Sequence, residues 1–341
     1  MNRHRAFAFL PVLLLIVTSA SAQAPGYKVA KKFELGGDGG WDYLTVDNAS
    51  RRIFVSRATR VMVVDADSGK LLAEIPDTPG VHGIAVANDL GRGFISAGRA
   101  NSVTIFDLKT LAVISKVNTG QNPDAILYEP TTQRVFTFNG RSNDSTVIDA
   151  AKGEVVGTIP LGGKPEFSVH NDKGTVYVNI EDKSELAAID AKTMKVTSRW
   201  SIAPGEEPSG LAIDRKKGRL FSVCGNKLMA VSDIASGKVV ATVPIGAGTD
   251  GAGFDPDSGF AFSSNGEGTI TVVREVSPGK FEAVQTVQTQ RSACTMTVDP
   301  KTHAIYLPAA KFGPAPAPTT ENPRPRPVAE PGSFVLLVVS T

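Results

Sequence analysis

The sequence is poor in the residues from which many reaction centres are built. In 341 residues there are two cysteines, Cys224 and Cys294, and four histidines. CxxCH does not occur, so covalent c-type haem has no attachment site. Beyond the N-terminus no apolar run approaches the roughly 18 residues of a membrane span; the C-terminal FVLLVV is only strand-sized. An excess of either charge is also missing once the first residues are set aside. Those residues, MNRHRAFAFLPVLLLIVTSASAQA, have a basic start, an apolar run from Ala6 to Val17 and a small-residue site at Ala20-Ser21-Ala22. They read as a secretory signal peptide, 1–22, cut after Ala22. Its removal takes Arg3 and Arg5 and no acid, leaving 34 basic and 34 acidic residues. A neutral chain lacks the basic excess that phosphate neutralisation uses, so nucleic acid is an unfavoured partner. The expectation is a monomeric protein, periplasmic or secreted, with no membrane span.

What the chain has in abundance is one phrase. VVDADSGKLLAEI returns as IFDLKTLAVISKV, VIDAAKGEVVGTI, AIDAKTMKVTSRW and VSDIASGKVVATV, with aspartates Asp65, Asp107, Asp149, Asp190 and Asp233 spaced by 42, 42, 41 and 43. VVREVSPGKFEAV is a degenerate sixth copy with Glu275 a further 42 along. A second family of segments keeps a similar period, from YLTVDNASRRIFV to TMTVDPKTHAIYL. Each phrase is strand, polar turn, strand. The aspartate can hydrogen-bond turn amides, and Gly69 or Gly237 can take a positive φ. One period is therefore four short strands, a to d, in about 42 residues, which is a β-propeller blade.

The ends set the blade number. Lys28–Glu34 reads as a strand d without its a, b and c, and the C-terminus supplies a (295–299), b (304–308) and c (333–340). Six complete blades and one assembled from both ends predict an all-β, seven-bladed propeller over 23–341, closed by pairing the first strand with the last. Cys224 and Cys294 then fall in the non-neighbouring blades 5 and 7, so two free thiols are expected. WD40 markers are absent. The phrases resemble the YVTN-type repeats of YncE-like seven-bladed propellers over essentially the whole mature chain. VHGIAV is similar to that family's Pro-His-Gly opening of strand a, with Val81 in place of proline. The resemblance implies the fold; such propellers serve as binding surfaces, enzyme relatives and partner platforms.

In a propeller the d–a and b–c connections share one face. The residues where strand a enters the channel are Asp42, His82, Asp124, Glu166, Ser209 and Asp250, with Ser292, Ala293 and Cys294 in blade 7. Oxygen donors from separate strands suit Ca²⁺ or Mg²⁺, so Asp42, Asp124, Glu166 and Asp250 form a candidate metal set. The alternatives are an organic ligand, or acids that only cap their own loops. The b–c loops add a basic rim of Arg57, Arg60, Arg99, Arg141, Lys183, Lys227 and Lys311, of which Arg57, Arg99 and Arg141 are the candidate ligand contacts. His4 leaves with the leader, while His170 and His303 lie toward the opposite face. No centre of several imidazoles can form, and His82 is the one candidate for acid–base work. The Pro-rich segment 313–332, in the b–c connection of blade 7, reads as a polyproline loop that lids the mouth or covers the closure seam.

Three functions compete. The leading expectation is an exported propeller that binds a small ligand or protein partner at the d–a/b–c face. The second is a cation-assisted hydrolase or lactonase-like enzyme using the acids and His82. The third is single-stranded nucleic-acid binding, with Trp41 and Tyr43 as stacking platforms.

Overall fold

A computed structural model describes residues 24–319 and 327–341. The leader and residues 320–326 of the Pro-rich segment lie outside the described residues. Seven four-stranded antiparallel sheets form the molecule. Blade 1 is Leu44–Asp47, Arg52–Arg57, Arg60–Asp65 and Leu71–Ile75, strands a to d in order. Blades 2 to 6 repeat the pattern, with a strands Val81–Ala87, Pro123–Glu129, Pro165–His170, Pro208–Asp214 and Thr249–Asp255. Blade 7 is Thr297–Val298, Ile305–Ala309, Val335–Ser340 and then Lys28–Glu34 from the other end of the chain. Lys28 pairs with Ser340 and Glu34 with Val335, so the ring closes as expected. Among the described residues no helix is long and apolar enough to cross a membrane.

The repeated phrase is the c–d hairpin. Asp65 Oδ1 accepts from the amide of Ser68 at 2.7 Å, Asp107 from that of Thr110 at 2.7 Å, Asp190 from that of Thr193 at 2.6 Å and Asp233 from that of Ser236 at 2.8 Å. Asp149 bonds the amide of Lys152 at 2.9 Å, and Glu275 that of Gly279 at 2.8 Å. The position four beyond the aspartate has positive φ in every true copy, as Gly69, Gly153 and Gly237 but also as Leu111 and Met194. The side-chain bonds hold the turn even where a β-carbon makes that conformation costly.

The core lies between blades. Phe54, Val61, Val63 and Ile75 of blade 1 pack on Val81, Ile84, Ile95 and Phe106 of blade 2, and the other junctions repeat this. Strands b and c are buried on both faces, whereas the outer d strands are exposed, with Val113 and Ile114 44% and 48% accessible. Tyr27, just before the closing strand, is 4% exposed and wedges edge-on against Phe262 of blade 6 at 5.3 Å. Gln285 of blade 6 grips its backbone amide and carbonyl at 3.0 and 2.7 Å. Blade 7 is therefore tied to its neighbour by the segment that closes it. Cys224 and Cys294 are both free.

Candidate functional site

The repeat delivers one residue per blade to the same place. In blades 2 to 6 the b–c turn donates a backbone hydrogen bond to the d–a loop of its own blade: Gly98 to Gly80, Gly140 to Asn122, Glu181 to Lys164, Gly225 to Glu207 and Gly266 to Gly248. This pins the entrances of the a strands and places both loop families on one face. Blade 1 uses a side chain instead. The Arg57 guanidinium bonds the carbonyls of Gly36 and Gly37 at 3.3 and 2.8 Å, bonds that of Gly39 and lies 3.8 Å from the centre of the Phe334 ring. Arg57 is 1% exposed, and its burial brings its pKa down to about 10. It leaves the expected basic rim and acts as a strut beneath the 36–40 loop.

Four acids and one histidine do converge. His82 Nδ1 lies 2.6 Å from Asp42 Oδ2 and 3.2 Å from Asp124 Oδ1, joining blades 1, 2 and 3. All three side chains retain 17–26% of their surface to solvent at the mouth. Glu166 is 7% exposed and pairs with Lys164 Nζ at 2.7 Å; Lys164 also bonds Glu181 of the b–c turn. Among the described residues Asp250 has only a weak contact to the Cys294 thiol, Sγ to Oδ2 3.8 Å.

Crowding of like charge in a partly dehydrated space shows in the proton affinities. Burial, then the charge of Asp124, pushes Glu166 up to about 7 despite Lys164. Burial raises Asp42, with the Asp124 charge adding to it and His82 opposing. Asp250 rises well above the usual carboxylate range through burial and the charges of Asp42, Glu166 and Asp124. For His82, burial works against protonation, but the hydrogen bond to Asp42 and the acid charges outweigh it and its pKa rises. Burial, then Asp250, pushes the Cys294 thiol up to about 12, so it is no ready nucleophile.

Tyr43 closes the mouth from below. Its ring meets Phe167 at 5.1 Å, a contact between blades 1 and 4 that crosses the central channel. Beyond this plug a cavity of about 510 Å³ opens toward the a–b turns, lined by Ile84, Leu127, Val169, Phe254, His170 and Arg215 among others. His170 and His303 lie on that side, His303 3.1 Å from Asp255, as the blade assignment predicts.

The remaining candidates divide. Arg99 and Arg141 are exposed on the b–c turns flanking His82 and Asp124 and pair with no acid among the described residues. Arg60 is held by Glu74 at 2.7 Å. Of the two stacking platforms Tyr43 is buried in the channel, 7% exposed, while Trp41 keeps part of its surface exposed and packs against Phe312 and Phe334 at 5.9 and 5.3 Å. Phe312 belongs to the base of the Pro-rich loop, where it bridges to Ala329, so the described ends of that loop pack on the closure seam.

Lys164 and Phe167 are site residues that sequence reasoning missed, and Tyr43, read there as a stacking platform, is instead half of a channel plug. Lys164 had a signal, two residues before Glu166 in a d–a loop. The channel plug had none, because contacts across the ring leave no periodic trace.

No protein-family profile matches the chain, and no curated protein matches it in sequence. Solved structures match its shape. Hydrazine synthase of Kuenenia stuttgartiensis aligns with TM-score 0.67 at 17% identity, covering 86% of this chain and 95% of that one. A chain of the mitotic checkpoint complex aligns with TM-score 0.71 at 15% identity, covering 90% and 95%. At these identities the likeness is one of fold: the chain is a seven-bladed β-propeller.

Proposed function

We propose that the chain is an exported ligand-binding propeller of the YVTN-repeat, YncE-like kind, taking a small cation or the cationic group of a partner at the d–a/b–c mouth. One observation carries this reading. Asp42 and Asp124 flank His82, Glu166 and Asp250 lie within range of their charges, and among the described residues Lys164 is the one permanent cation hydrogen-bonded to any of the four acids. Such a cluster raises its own pKa values and is relieved by a bound positive charge. Loop caps would instead spend their oxygens on backbone amides, as Asp65 and Asp107 do. The hydrolase reading is weaker, since no serine, threonine or cysteine hydrogen-bonds His82 among the described residues.

The test is a thermal-shift panel on chelator-treated protein with Ca²⁺, Mg²⁺, Zn²⁺ and spermidine set against citrate and phosphate. Members of the cationic set should raise the melting temperature, by about 2.7 kcal/mol of stability at a hundredfold excess over Kd. The response should vanish in the Asp124→Asn/Asp250→Asn variant. A response to anions only, or one that survives in the variant, contradicts the proposal.

A further inference from the structure

We propose that Asp42 Oδ2, His82 Nδ1 and Asp124 Oδ1 form a binding site for a divalent transition-metal ion of the zinc type. This rests on the cationic reading of the mouth and makes it specific. The three ligand atoms lie within 4.8 Å of one another, on three successive blades. A tetrahedral ion with ligands at about 2.0–2.2 Å holds neighbouring donor atoms about 3.3–3.6 Å apart. The His82–Asp124 separation of 3.2 Å is already close to this, and the 2.6 Å His82–Asp42 contact has to open by about 0.7–1 Å. An imidazole between two carboxylates is the donor set of zinc-type ions, whereas Ca²⁺ and Mg²⁺ take oxygen throughout. The sequence-based choice of Ca²⁺ or Mg²⁺ thus shifts once His82 joins the acids.

The backbone around these ligands is braced. The Asp42 amide donates to Ser56 Oγ at 2.8 Å, and Thr295 Oγ1 donates to the Asp42 carbonyl at 2.7 Å. The Tyr43 amide bonds the His82 carbonyl at 3.2 Å, which locks two ligand-bearing strands together. Ser96 Oγ accepts from the Gly83 amide at 2.9 Å and donates to the Asp124 carbonyl at 3.0 Å, locking the second pair. Supports of this kind hold first ligands in place before the ion arrives.

An independent feature points the same way. The Tyr43 hydroxyl lies amid the charges of Asp250, Asp42, Asp124 and Glu166, has no protein hydrogen-bond partner among the described residues and keeps some access to solvent. A water or ligand on the ion would supply a partner, at the coordination position that three protein donors leave open. On binding, the Nδ1 proton passes to solvent and the neutral ring keeps its proton on Nε2, so ligation is balanced without any co-reactant.

The experiment uses the full mature chain after chelator treatment, with Zn²⁺ for calorimetry and Co²⁺ for visible absorption. One equivalent of Zn²⁺ should bind, and Co²⁺ should develop ligand-field bands that Zn²⁺ abolishes. His82→Gln and Asp42→Asn/Asp124→Asn should weaken Zn²⁺ by more than the roughly 10- to 100-fold that loss of a supporting partner costs. Should a variant fold poorly, nitrogen NMR of the parent decides: Zn²⁺ should shift the Nδ1 resonance of His82 and leave those of His170 and His303 in place. An unmoved His82 resonance, or Zn²⁺ affinity indifferent to these substitutions, overturns the metal site. If Ca²⁺ or spermidine still stabilises the protein in that event, the broader cationic reading stands while the metal site falls.

Discussion

Replacing Tyr27 with alanine should loosen the ring at its closure, although Tyr27 lies outside every strand. The side chain is 4% exposed, packs edge-on to Phe262 at 5.3 Å and 80°, and reaches Phe260 at 6.1 Å. Truncating a buried aromatic costs about 3–5 kcal/mol. The two backbone bonds to Gln285 survive the substitution, so the lower end of about 3 kcal/mol applies. Unfolding entropy of about 2.1 cal/mol/K per residue gives about 0.7 kcal/mol/K for roughly 320 residues, and therefore a fall in Tm of about 4–5 °C. Differential scanning calorimetry would measure it, with Val328→Ala, at a position 66% exposed, as a control that should stay within about 1 °C. If Tyr27→Ala also stayed within about 1 °C, Tyr27 would not clamp blade 7 to blade 6 and the closure described here would be wrong.

Other consequences are as concrete. A β-carbon on Gly69 would lie 2.1 Å from Phe33 Cγ in the closing strand, whereas one on Gly153 meets Ile105 at 3.0 Å; both have positive φ. Gly69→Ala should therefore destabilise more than Gly153→Ala, and equal urea midpoints would count against the packing of Phe33 over blade 1. Thiol titration of denatured, non-reduced protein should return two free thiols; an intramolecular crosslink would overturn the blade register. Glu166 carries a folded pKa of about 7, above the 4.5 of an unfolded glutamate, so its stabilising share is complete below about 4.5 and is lost as pH rises through 7. In chelator-treated protein Tm should fall from pH 5.5 to 8, with a limit on the order of 2 kcal/mol over that window. Glu166→Gln should flatten that slope, and a slope of the opposite sign would refute the crowding of acids at the mouth. Asp65, Asp107 and Asp233 are held low by turn hydrogen bonds, so their share is lost only as pH falls below about 3.8.

The fold was legible because every blade repeats two local devices, an alternating strand pair and an acid-capped turn. Blade 7 is where the pattern blurs. Its a strand shortens from the expected 295–299 to Thr297–Val298, because the chain before it is drawn into loop bonds: Ser292 Oγ to the Ala310 carbonyl and Thr295 Oγ1 to that of Asp42. Alignment of repeats also found Asp42, His82, Asp124, Glu166 and Asp250, since residues at one register share one place around a ring. It could not separate Arg57 from Arg99. Arg57 ends strand b of blade 1 and Arg99 follows strand b of blade 2, and only the folded 36–40 loop, which takes the Arg57 guanidinium on its carbonyls, turns Arg57 inward. Nor could it show that Tyr43 and Phe167 meet across the channel, or that a 510 Å³ cavity lies below them, because both depend on the ring's diameter.

Hydrogen exchange of chelator-treated protein, alone and with Ca²⁺, Mg²⁺, Zn²⁺ or spermidine in turn, tests the placement of the binding site most directly. With whichever cation binds, exchange should slow at the mouth, in 37–43, 79–83 and 121–125, and stay unchanged at the a–b turns 47–51, 88–91 and 170–174. Slowing at those a–b turns instead, around the cavity on the far side of Tyr43, would contradict the account.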